Sequence, residues 1–206
     1  MTDHDCDDRV GAAVAALRRD AGQPVDPGRR GPVLLGRLFE EKGLDHVALP
    51  NLTRGAAAEH LRAAGIPVEA LGEPAEELAG FVFVAGRVGW AFVRAGDGLP
   101  RRRFTAAHEL GHFLLHRGAM GRFRADTDAT LQEADGRVAD EMEREANRFA
   151  AELLMPAEVC RARAEELRRQ HGCCPRGVLV YRLASELLVS REAMRYRLQS
   201  LGVGDE

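Results

Sequence analysis

Two histidines stand four residues apart, with a glutamate beside the first, in His108-Glu109-Leu110-Gly111-His112. On a helix, positions i and i+4 share a face one turn apart. Two imidazoles so placed can grip one metal ion, and Zn²⁺ favours such nitrogen ligands. Glu109 then sits where a general base is needed for water activated at that metal. Ala106, Ala107, Leu110, Phe113, Leu114 and Leu115 surround the pair. They are helix-compatible and largely apolar, so the run predicts a buried helix, which is where a rigid metal site belongs. A buried amphipathic helix with two incidental histidines is the competing reading, and this context weighs against it.

Two histidines do not complete a site. A catalytic zinc takes three protein ligands and keeps one position open. A third histidine ten residues after the first, three past a glycine, is absent, because positions 115 and 118 are Leu115 and Gly118. The alternative is a carboxylate from a later helix. The best stretch runs from Glu141 to Pro156, where Phe149, Ala150, Leu153 and Leu154 make a helical core face and Pro156 stops the run. Glu143 is the first choice of ligand. Asn147, four residues on, shares its side of the helix and could orient a metal-bound group. Glu145 is the second choice and Glu152 the third. The expected set is therefore His108, His112 and Glu143 as metal ligands, Glu109 as base and Zn²⁺ as cofactor, although such ligands also admit Mn²⁺ or Fe²⁺. Glu109 would take a proton from water and pass it to the leaving amine of a peptide. His116, Tyr181 and Tyr196 are the candidate oxyanion donors, none supported by spacing; His116 reads as structural.

Other elements must position these residues. Val10 to Leu17 reads as a surface helix, followed by a Gly/Pro/Arg linker from Ala21 to Pro32. Val33 to Lys42 reads as a helix ended by Gly43, and Thr53 to Ala64 as another, capped by Thr53 and stopped at Gly65. Phe81 to Val84 and Val88 to Val93 read as a strand pair joined by Ala85-Gly86-Arg87. That pair could receive a substrate strand by edge addition. Gly118 to Asp140 is polar and reads as a surface connection. Arg101-Arg102-Arg103 reads as a solvated basic cluster. Ala157 to Gln170, Val178 to Leu188 and Arg191 to Leu201 are three further helices. The last two, with Ser190 as N-cap and Arg191, Arg195 and Arg197 on the second, have helix-turn-helix form. Packing through Leu183, Leu187, Met194, Leu198 and Leu201 is favoured over base readout, since three arginines are too few to establish DNA binding.

The segment Arg101 to His116, followed by Glu143 to Pro156, resembles the ImmA/IrrE family of zinc metallopeptidases. Leu49 to Leu61 and Val189 to Gly202 resemble it more weakly, and the likeness spans roughly residues 47 to 203. The resemblance implies a gluzincin-like site with His108, His112 and Glu143 on zinc and Glu109 as base. It implies an α+β fold: a mostly helical, zincin-like core with a small β-sheet and a C-terminal helical module of helix-turn-helix form. The corresponding division is 1–31 as a partly disordered N-terminal extension, 32–156 as the metallopeptidase domain and 157–206 as the helical module. It also implies a substrate, a helix-turn-helix transcriptional repressor often encoded beside the peptidase. The chain departs from the family pattern in its Arg/Gly-rich segment Arg94 to Arg103 and in its extended N-terminus, which bears on the substrate rather than on the metal site.

Composition fits these expectations. The chain has 206 residues, 45% hydrophobic and 30% charged, with net charge −3. That suits one core plus a small module. No apolar run approaches a transmembrane length, and Met1 to Asp8 is acidic where a secretory signal would be basic, so a cytoplasmic protein is expected. Cys6, Cys160, Cys173 and Cys174 lack framework spacing and read as ordinary thiols, His171-Gly172-Cys173-Cys174 included. Three function classes remain: a protease that inactivates a repressor, a DNA- or repressor-binding regulator with a structural or idle metal site, and a toxin-like partner of a repressor antitoxin. Glu109 favours the first, because a structural site needs no adjacent base. A weak DNA contact through the C-terminal module is a secondary expectation.

Overall fold

The computed structural model describes residues 3–28, 30–69, 71–127, 141–171 and 174–204, with side chains from residue 9 to 170 and from 174 on. In chain order the elements are α1 (Asp3–Asp20), α2 (Leu35–Lys42), β1 (Leu44–Leu49), α3 (Arg54–Ala63), β2 (Gly80–Ala85), β3 (Val88–Arg94), α4 (Leu99–Leu115), β4 (Phe123–Asp126), α5 (Glu141–Leu154), α6 (Ala157–His171), α7 (Arg176–Leu187) and α8 (Arg191–Ser200). The fold is α+β, mostly helical with one small mixed sheet. No described helix is long and apolar enough to cross a membrane.

The sheet runs β1-β3-β2-β4, with β1 parallel to β3 and the other pairs antiparallel. Both faces are covered. Val82, Val84, Ala91 and Val93 join the main apolar cluster with Ala106, Leu110 and Phe113 of α4. Phe81, Phe83, Trp90 and Phe92 form a second cluster with Leu52, Ala57, Ala58 and Leu61 at α3. Burial on both sides is why β2 and β3 read as unbroken apolar runs rather than alternating ones. Each of these strands has neighbours on both ladders, so the 81–93 pair cannot receive a substrate strand as expected. The sheet ends at β1 and β4. The sequence pattern marks neither edge strand, and β4 lies in the stretch that reads as a surface connection. Residues 128–140 of that connection and the Cys173 part of the Cys-rich loop lie outside the described residues.

The first helix belongs to the core. Val10, Val14 and Leu17 recur on one face and are buried in the main cluster with Phe149 and Leu153 of α5. Each such burial contributes about 1.5–3 kcal/mol relative to exposure. Arg18 is buried with them and donates to the carbonyls of Gln23 (2.9 Å) and Leu153 (3.1 Å). The Gln23 side chain in turn exchanges hydrogen bonds with the backbone of Leu34. The expected linker is therefore fastened to the body at its start.

The caps read from the sequence form. Thr53 Oγ1 accepts from Ala56 N at 3.1 Å, and Ser190 Oγ from Ala193 N at 3.0 Å. The final helix pair packs inward through Leu179, Leu183, Leu187, Met194 and Leu198. Arg197 donates to the Met155 carbonyl (2.9 Å) and to Glu152 (2.5 Å), which ties α8 to the end of α5. Arg191 and Arg195 lie over the exposed rings of Tyr181 and Tyr196. The Arg101–Arg103 cluster is only partly solvated: Arg101 pairs with Asp97 at the surface, whereas Arg103 donates inward to the Val33 carbonyl at 3.0 Å.

Candidate metal and catalytic site

Helix α4 carries the two histidines through the centre of the protein. Every residue from Thr105 to Phe113 is buried, the mark of a helix covered on all sides. Gly111 lets α5 close in: a Cβ there would meet Phe149 atoms at 3.1 and 3.2 Å. That near-contact of backbone and ring brings the acidic first turn of α5, with Glu143, against the His108–His112 face.

Four donor groups converge: His108, His112, Glu143 and Asp126, the last residue of β4. The two Nε2 atoms are 2.9 Å apart. Glu143 Oε2 is 3.2 Å from His108 Nε2, and its Oε1 is 3.3 Å from His112 Nε2. Asp126 Oδ2 is 3.4 and 3.8 Å from the same two nitrogens. Ligands at about 2.0–2.1 Å from a tetrahedral zinc would be separated by about 3.3–3.4 Å. The spacings cluster around that edge length, and two imidazoles with carboxylates are a donor set zinc accepts.

The charges point the same way. Glu109, Asp126 and Glu143 are all buried carboxylates. Arg124 contacts Glu143 Oε1 through Nε at 2.5 Å and also through Nη2. Three buried carboxylates face one guanidinium, so further positive charge or protons must balance the rest. Both oxygens of Glu109, Asp126 Oδ2 and Glu143 Oε2 are buried without a hydrogen-bond partner among the described residues. Such groups are costly to bury unless a cation or proton faces them. Burial alone would lower His108, but the contacts and charges of Asp126 and Glu143 push it up to about 9. Burial outweighs the pull of Glu143 at His112 and lowers it. The pair thus gathers one positive charge between its Nε2 atoms. Burial opposes ionisation of Glu143, yet its contacts with His108 and His112 hold its carboxyl below the usual range. Glu109 goes the other way, raised well above the usual range by burial and then by the charges of Asp126 and Glu143. A carboxyl so placed readily accepts and holds a proton.

The far sides of both imidazoles are also held. His108 Nδ1 is 2.9 Å from Asn147 Oδ1, the contact expected of Asn147. His112 Nδ1 is 2.9 Å from His116 Nδ1, and His116 Nε2 is 2.7 Å from Glu145 Oε2. With Nε2 of His112 reserved for a metal, its Nδ1–H donates to His116, whose Nε2–H donates to Glu145. Such outer partners fix tautomer and ring orientation. Arg9 of α1 closes the chain of contacts, 2.5 Å from Glu145 Oε2. Glu145 therefore stands behind His116 rather than beside Glu143, and Glu152 is engaged by Arg197. His116 has both nitrogens engaged, and Tyr181 and Tyr196 lie exposed under arginines, so none of the three has the setting of an oxyanion donor.

Gly80 makes room for Glu109. A Cβ on Gly80 would lie 1.9 Å from Glu109 Oε1 and 2.8 Å from Thr105 Cγ2. Gly80 pairs with Asp126, and Val82 with Arg124, across the β2–β4 ladder. Directly opposed residues share a face, so Gly80, Arg124 and Asp126 all look toward α4. Sequence reasoning missed Arg124 and Asp126. The available signal was short: Phe123 and Ala125 alternate with Arg124 and Asp126, a period-two pattern only four residues long.

The sequence pattern of the IrrE N-terminal-like domain, Peptidase_M78, matches residues 63–199. This covers α4, α5 and every residue of the four-donor cluster. No curated protein matches the chain. With about two thirds of its length matched, the chain belongs to the IrrE N-terminal-like family of peptidases.

Proposed function

We propose that the protein is a zinc-dependent endopeptidase that cleaves a helix-turn-helix transcriptional repressor and so acts as an anti-repressor in the cytoplasm. The observation that carries the catalytic half is the convergence of His108, His112 and Glu143 beside the unpartnered carboxylate of Glu109. His108, His112 and Glu143 would hold the metal. Bound there, zinc supplies a Lewis acid that polarises the scissile carbonyl and makes water easier to deprotonate. Glu109 takes that proton on a carboxylate oxygen and delivers it to the leaving amine. Asn147 and the His116–Glu145 pair orient the imidazoles. The burial around α4 excludes bulk water and strengthens each of these interactions.

The repressor substrate rests on the resemblance of Arg101–His116 and Glu143–Pro156 to the ImmA/IrrE peptidases. Packing on α5 uses Arg197, which leaves Arg191 and Arg195 of the three arginines first considered. A DNA contact through α7–α8 is accordingly secondary to recognition of a protein.

Elemental mass spectrometry of purified wild type, Glu109→Gln and Glu143→Ala tests the assignment, followed by incubation with candidate helix-turn-helix repressors. Near-stoichiometric zinc in the first two proteins, its loss in the third, and cleavage by wild type alone are expected. The loss in Glu109→Gln should be about 10²–10⁴-fold, the usual worth of a general base. Retained cleavage by Glu109→Gln, or a wild type without metal, would refute the mechanism.

A further inference from the structure

We infer that Asp126 is a fourth protein ligand, so that the folded site is closed and hydrolysis requires Asp126 to withdraw. The inference rests on the zinc reading above and deepens it into a form of regulation. Asp126 Oδ2 is buried, has no hydrogen-bond partner among the described residues, and lies 3.4 and 3.8 Å from the two Nε2 atoms. Glu143 approaches the same two atoms at 3.2 and 3.3 Å, so Asp126 stands somewhat farther off, most of all from His112. The residue is 1% exposed, and Arg124 Nε lies 3.9 Å from its other oxygen. A carboxylate oxygen buried there is costly to leave without a partner, and a cation held between the two imidazoles would engage it.

Its aim is set by the sheet rather than by chance. The Asp126 carbonyl accepts from Ala79 N at 2.7 Å, and its α-carbon is paired with Gly80 in the ladder. The side chain must therefore point at the α4 face, where Glu109 lies.

Closed and open sites differ in what fills the fourth position. Structural zinc is held by four protein groups, whereas catalytic zinc keeps one place for water or substrate. His108, His112 and Glu143 supply three donors, and Asp126 takes the place beside Glu109 that water must use. Asp126 is the last residue of β4, which pairs only with β2 among the described strands. Withdrawing it disturbs the end of one ladder and leaves α4 and α5 in register. The site is thus built to hold metal tightly at rest and to expose it when the end of β4 moves.

The test uses full-length wild type, Asp126→Ala and Asp126→Asn, the last preserving volume. Melting of the metal-free proteins checks folding. Zinc affinity is measured by chelator competition, and access to the fourth position by acetohydroxamate titration of the Co²⁺-loaded proteins, read by visible absorption. In both variants zinc affinity should fall at least about 10–100-fold, the range already seen when outer partners are lost. Acetohydroxamate should bind them at least about tenfold more tightly than wild type. If wild type binds metal but both variants stay within about twofold of it on both readouts, Asp126 is not a ligand and only this inference falls. If wild type binds no metal, the zinc reading falls with it.

Discussion

A methyl group added at Gly80 would land 1.9 Å from Glu109 Oε1, 2.8 Å from Thr105 Cγ2 and 3.0 Å from Glu109 Cδ. Those are its three nearest neighbours, and none belongs to His108, His112 or Glu143. Gly80→Ala should therefore separate metal binding from proton transfer. The Glu109 carboxylate is the flexible end of a side chain and will yield first. Thr105 is β-branched and stiff at χ1, so it yields less. Overpacking of this kind costs about 1–3 kcal/mol. At roughly 2–4 °C per kcal/mol for a chain of this size, Tm should drop by about 2–12 °C. Displacing the base by an ångström costs far more in rate, about 10²-fold. Zinc per chain, Tm and repressor cleavage should be measured side by side. Wild-type cleavage by Gly80→Ala would refute the assignment of Glu109, and loss of zinc would refute the claim that Gly80 serves the base alone. Thr105→Ser, combined with Gly80→Ala, removes the closest carbon and should restore part of the lost Tm.

Further outcomes follow from the same contacts. His116→Ala and Glu145→Gln should weaken zinc binding about 10–100-fold by freeing the His112 ring, measured by chelator competition; unchanged affinity would show the contact chain to be idle. Arg197→Ala removes the bonds to Met155 and Glu152, and should lower unfolding free energy by about 1.5–3 kcal/mol in denaturant titrations with zinc content unchanged. Burial pushes the Cys160 thiol up to about 11, so at pH 8 it should react with a maleimide only on unfolding, while half-buried Cys174 reacts in the native protein; peptide mapping by mass spectrometry decides it, and prompt native labelling of Cys160 would contradict its burial.

The parts of the site that announced themselves lie on helices. His108, Glu109 and His112 are fixed by one helical period, and the α5 face by another, so local spacing sufficed to place them. The β2–β3 hairpin was legible because its apolar runs flank a glycine turn. Asp126 was not legible. Its position depends on β4 pairing with β2, a contact between residues more than forty apart in sequence, and β4 is too short to stand out from polar surroundings. β1 was hidden for a related reason: it pairs in parallel with β3, and Asp45 and His46 interrupt its apolar character. Glu145 illustrates the converse. Helical geometry separated it from Glu143, but only the fold shows that its partners are His116 and Arg9.

The ties of α1 bear on how small a working version of this protein can be made. The family match begins at residue 63, yet Val10, Val14 and Leu17 fill the core beneath α5, and Arg9 contacts Glu145 behind the His112 ring. A version trimmed to the matched residues would bare the Phe149–Leu153 face and remove Arg9 from the network behind the His112 ring. The smallest autonomous unit must therefore start ahead of Arg9. A protease that clips the chain between α1 and α2 would leave the two pieces held by non-covalent contacts alone, the Arg9–Glu145 and Arg18–Leu153 bonds among them, which makes such a nick a direct probe of how firmly the N-terminal helix is seated.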